Sequence, residues 1–73
     1  MSDLQDSIFR AATSELIEWV ARERSLDIKE AMRIVYESEL YKKLQDSETG
    51  LYREGSLYLY DMLAEEKGYP RPS

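Results

Sequence analysis

Leu51-Tyr52-Arg53-Glu54-Gly55-Ser56, continuing as Leu57-Tyr58-Leu59-Tyr60-Asp61-Met62-Leu63-Ala64-Glu65-Glu66-Lys67-Gly68, is the stretch on which the fold class turns. Read as a helix, it is capped by Ser56 and stopped at Gly68, with Lys67 in its last turn and Pro70 just beyond. Read as a hairpin, it turns at Glu54-Gly55, because Tyr52 and the run Leu57 to Tyr60 also suit a strand. The first reading makes the chain all-α, and the second adds a small sheet. We favour the helix.

Upstream, Asp46-Ser47-Glu48-Thr49-Gly50 is the strongest turn signal, because short polar side chains compete with the backbone and Gly accepts positive φ. Before it, Asp27 and Glu30 match a capping box, and Ile28, Ala31, Met32, Val35 and Tyr36 continue at helical spacing. Ser38 can cap a further short helix through Leu40, Tyr41 and Leu44, with Glu39 and Lys43 paired outside. Residues 28–44 therefore read either as one kinked helix or as two. Ser25 to Asp27 is a tight turn from a first helix that opens on a Ser2/Gln5 capping box.

In that first helix, of about twenty residues by its periodicity, Leu4, Ile8, Ala12 (or Ala11), Leu16, Trp19 and Val20 form the main apolar stripe. Phe9, Thr13 and Ile17 form a row beside it, so the apolar band is broader than one helix contact needs. Asp6 with Arg10 and Glu18 with Arg22 are spaced for ion pairs on the opposite, solvated face. The expectation is an all-α bundle of three to four helices over residues 1–68, with a short, extended or disordered C-terminal tail over 69–73, where two prolines break any periodicity.

The 73 residues allow one domain, and a chain this short buries only roughly 60% of the surface it exposes when unfolded. With no cysteine and no histidine, there is no disulfide framework and no conventional zinc, haem or iron-sulfur site. Nucleophile arrangements that need imidazole are impossible, so the chain does not read as an enzyme and no cofactor is expected. Asp61, Glu65 and Glu66 share a helix, but nothing supplies a second catalytic group, and they read as solvating residues. Ten Lys+Arg against fifteen Asp+Glu give a net charge of -5, which opposes binding to phosphate backbones and anionic membranes. No apolar run spans a membrane, and Asp3 and Asp6 stand where a signal peptide would be basic, so a cytoplasmic location is expected.

Two motifs invite sharper readings. Asp46, Glu48 and Gly50 imitate the opening of a calcium loop, but Gly50 falls at a ligand position and Leu57 replaces the bidentate Glu, so a capped turn is the better reading. Trp19 to Leu44 could be a helix-turn-helix with Arg22, Arg24, Lys29 and Arg33 on phosphates, making a small DNA-binding regulator the alternative function. Glu23, Asp27, Glu30 and Glu37 are interleaved with those cations, which disfavours nucleic acid.

Six tyrosines are the least ordinary feature, since Tyr pairs a large apolar body with a polar tip and suits interface cores. In the last helix Leu57, Tyr60 and Ala64 lie on one stripe, Leu59 and Leu63 on a second, and Tyr58 and Met62 on a third. The reading is that one small core leaves part of this helix for another chain. Tyr41, Tyr52, Leu57, Tyr58, Tyr60 and Met62 are the expected contact residues, and Trp19 is expected to anchor the core.

Ser38-Glu39-Leu40-Tyr41, then Leu44, Asp46, Thr49-Gly50-Leu51-Tyr52 and Tyr58-Leu59-Tyr60, resemble a group of small bacterial helical proteins of uncharacterised function, over about Glu15 to Glu66. Some are encoded beside toxin-like proteins, including ADP-ribosyltransferase-like ones. The resemblance implies an antitoxin or accessory role and carries no catalytic residue. The expected function is that of a protein-protein interaction module, self-associating or bound to another protein.

Overall fold

The computed structural model describes residues 3–46 and 48–70, with side chains from Ser7 onward. The chain is all-α, as the helical reading requires: α1 Asp3–Arg24, α2 Ile28–Tyr36, α3 Glu39–Gln45, a single 3-10 turn Leu51–Arg53, and α4 Ser56–Lys67. The Ser2/Gln5 capping box, the Leu4 end of the apolar stripe, the Asp6–Arg10 pair, Ser47 of the turn and residues 71–73 of the tail lie outside what is described.

Local signals set most of the boundaries. Helix α1 ends in a Schellman-type closure in which Ser25 takes positive φ (56°) and the Leu26 amide donates to the Ala21 carbonyl at 2.9 Å. Asp27 then caps α2, its Oδ1 accepting from the Glu30 amide at 2.9 Å. The choice between one helix and two over residues 28–44 is decided by Ser38. Its backbone is extended, and its buried hydroxyl donates to the Val35 carbonyl at 2.6 Å while accepting from the Tyr41 amide at 3.1 Å. One side chain thus closes α2 and opens α3.

The Asp46–Gly50 turn is built as its residues dictate. Asp46 Oδ1 accepts from the Glu48 amide at 3.0 Å, the Thr49 hydroxyl lies 2.8 Å from the carbonyls of Lys43 and Asp46, and Gly50 takes φ 68°. Beyond it the hairpin alternative does not form. Leu51 to Arg53 wind one 3-10 turn, and Gly55 is the extended residue before α4. Glu39 lies 3.4 Å from Lys42, one residue short of the expected Lys43 partner.

Helix α1 is the spine, touching α2, α4 and the 3-10 turn, while α3 bridges that turn and α4. The core comprises Ala12, Leu16, Ile17 and Val20 from α1, Ala31 and Val35 from α2, Leu40 and Leu44 from α3, Tyr52, and Leu59, Tyr60, Leu63 and Ala64 from α4. Thr13 is buried among them because its hydroxyl donates to the Phe9 carbonyl at 2.9 Å, satisfying a polar atom within the helix. Among the described residues no buried side-chain nitrogen or oxygen lacks a partner.

Two expectations about α4 change here. Ser56 is the first residue of the helix, and its Oγ accepts the Trp19 indole N–H at 3.0 Å instead of capping. The indole can only donate, so a partly buried Trp takes the nearest acceptor. Glu66, read as a solvating residue, instead reaches the start of α3: its two carboxylate oxygens accept from the amides of Glu39 (2.8 Å) and Leu40 (3.0 Å). A carboxylate at a helix N-terminus meets unsatisfied N–H groups and the positive end of the dipole.

Candidate interaction groove

The six expected contact residues do not form one surface. Tyr60 is 1% exposed and Tyr52 5%, so both are core residues and cannot be contact residues in the folded chain. Tyr60 lies stacked near Trp19 (ring centroids 5.9 Å, 30° between planes). Burial raises the Tyr60 pKa, the guanidinium of Arg24 opposes this, and Glu23 and Tyr69 add to the rise. The three stripes of α4 are not equivalent. The stripe through Tyr60 and Ala64 and the stripe through Leu59 and Leu63 are both covered, and only the N-terminal end and the third stripe remain open.

Leu57 and Tyr58 are half-exposed at the start of α4. Met62 is partly buried and lines a small cleft with Glu39, Leu40, Lys43, Glu65 and Glu66. Tyr41 lies elsewhere, in an open groove of about 530 Å³ between α1 and the α2–α3 segment.

Aromatic and aliphatic side chains build that groove. From α1 it takes Phe9, Thr13 and Ile17, with Arg10, Ser14 and Glu18 along the rim. From α2 it takes Ile28, Met32 and Tyr36, spaced four residues apart on one face. Tyr41 sits across one end, its ring 5.8 Å from Phe9 and 5.0 Å edge-on to Tyr36. Ile28 is 50% exposed and Tyr36 46%, so the apolar row on α2 is only half-covered by its own chain. Burial, and then the neighbouring Tyr36 phenol, push the Tyr41 pKa up and keep its hydroxyl neutral.

Of these residues, the sequence reading assigned only Tyr41 to a contact surface. The signal for the others was the broad apolar band of α1, whose Phe9, Thr13 and Ile17 row faces this side. Ile28, Met32 and Tyr36 carry no sequence signal beyond the apolar periodicity of an amphipathic helix.

Three of the four cations of the helix-turn-helix reading, Arg22, Arg24 and Arg33, are held in other contacts. Arg24 lies over the Tyr69 ring at 4.5 Å, Arg22 over Trp19 at 5.5 Å, and Arg33 lies 3.7 Å from both Glu30 and Glu37. Tyr69, placed in the expected tail, therefore packs on the core, with its amide donating to the Ala64 carbonyl at 2.9 Å. Among the described residues no three acidic side chains converge as a cation site would require. None of the described helices is long and apolar enough to cross a membrane.

No family model, no curated protein and no solved structure matches the chain.

Proposed function

We propose that the chain is a cytoplasmic protein-protein interaction module, and that it binds its partner through the groove between α1 and α2. The observation that carries this is the half-exposed row Ile28, Met32 and Tyr36 beside the Phe9–Tyr41 ring pair. Apolar side chains left at a concave surface gain from being covered, and aromatic residues and Met are the types that interface cores favour. Leu57 and Tyr58 add a second, smaller apolar pair on α4. A binding role, not catalysis, is supported by a chain without histidine or cysteine. The net charge of -5 suits a basic partner outside the groove, in keeping with the antitoxin-like or accessory role that the resemblance implies.

The test is a photo-crosslinking amino acid placed at Tyr36 in the native host, with the same group at exposed Glu54 as control. A light-dependent protein adduct at position 36 and none at 54 is the expected result. No adduct at 36, or equal adducts at both positions, would overturn the reading.

A further inference from the structure

The rim of the groove on α1 carries Arg10, Ser14 and Glu18, spaced i, i+4, i+8. They lie on one ridge of the helix, with a small residue at its centre and opposite charges four residues to either side. Ser7 and Ala21, each seven residues from Ser14, fall on the same side of the helix and are again small, Ala21 being partly buried against the core. If a second α1 is laid antiparallel on this ridge with Ser14 facing Ser14, each Arg10 falls opposite the partner's Glu18. With a rise of about 1.5 Å per residue both lie about 6 Å from the axis, on opposite sides. A two-fold contact demands this property, that whatever residue i meets on the partner meets i in return.

We propose that the groove is occupied by a second copy of this chain, in an antiparallel two-fold dimer centred on Ser14. In it Ile28, Met32 and Tyr36 of each copy cover the α1 of the other, and Arg10 faces Glu18 at two symmetric points. The small Ser7, Ser14 and Ala21 let the two helices approach closely. The charge pattern also selects register, because sliding the pair by a turn sets like charges closer and loses both attractive pairs. The proposal deepens the interaction-module reading and rests on it.

The experiment is sedimentation equilibrium of the wild type, Arg10→Glu, Glu18→Arg and the double variant, with helicity checked by circular dichroism. The wild type dimerises, and each single reversal raises the dissociation constant by about tenfold, since two attractions become two repulsions. The double variant regains wild-type affinity, and the two single variants mixed together form a heterodimer, which an unfolded or merely damaged chain could not do. A monomeric wild type at every concentration overturns the proposal. So do single reversals without effect, or a double variant no better than the singles. If the wild type is monomeric while the group at Tyr36 crosslinks to a different protein, the second copy is overturned and the interaction module stands.

Discussion

Helix α1 has one seam that closes and one that stays open. Where it meets α4, Trp19 stacks near Tyr60 and donates to Ser56, and Arg24 lies over the Tyr69 ring. Where it meets α2, Tyr41 packs against both Phe9 and Tyr36, yet Tyr36 and Ile28 remain half in solvent. Both seams are aromatic, so aromatic content does not distinguish core from binding surface. What separates them is whether the polar tips and the apolar bodies are both accommodated within the chain.

The sharpest way to break the contrast is truncation of one tyrosine on each side. Tyr60→Ala removes a fully buried ring from the closed seam and should cost about 3–5 kcal/mol, enough to unfold much of so small a domain. Tyr36→Ala removes a half-exposed ring and should change monomer stability by about 0.5 kcal/mol or less. Urea titration followed by Trp19 fluorescence compares the two, at a concentration below any association. Equal losses would mean that the groove is core and not a site.

Glu66 offers a smaller effect on the closed half. Glu66→Ala leaves the amides of Glu39 and Leu40 without the carboxylate and should cost about 1–2 kcal/mol. Hydrogen exchange at the start of α3 should rise while the α1–α2 amides stay protected. Uniform loss of protection would mean that α3 does not open separately.

Alkali tests both seams together. Tyr41 and Tyr60 have folded-state pKa values raised chiefly by burial, so the folded state holds these protons more tightly than the unfolded chain. The stabilisation is therefore complete below the unfolded tyrosine value of about 10 and is lost as pH rises toward the folded values. The urea midpoint should be flat from about pH 8 and fall above about pH 10, and less steeply in Tyr41→Phe. A midpoint indifferent to alkali would refute the burial of both hydroxyls.

The helices and their ends were legible because their signals are local. Asp27, Ser38 and Gly68 each act on backbone groups within a few residues, and each does what its position in the sequence announces. Legibility failed where a side chain answers to a distant one. Ser56 looked like a cap until Trp19, thirty-seven residues earlier, claimed its hydroxyl, and Glu66 looked solvated until α3 came within reach. The same holds for the tyrosines: nothing local separates Tyr58 from Tyr60, because α1 decides which stripe of α4 is covered. The groove was half-visible in the excess width of the α1 band, but an Ile-Met-Tyr row on α2 has the same spacing whether it faces core or water.

The smallest effect concerns the start of α4, where no side chain caps the backbone. Gly55 has φ -68° and ψ 157°, a conformation open to any L-residue, and a Cβ there meets nothing within 4 Å. Serine at this position can accept from the free amides of the first turn, and it also restricts the unfolded chain more than glycine does. Gly55→Ser should therefore stabilise the domain by about 0.5–1 kcal/mol. Gly68→Ala should act in the opposite direction by a similar amount, because Gly68 sits at φ 77°, where a Cβ is strained even in open space. Thermal unfolding of the two variants side by side separates the contributions: a gain at 55 with a loss at 68 places the difference in backbone conformation. Losses at both would mean that the link into α4 needs glycine for a reason its dihedral angles do not contain.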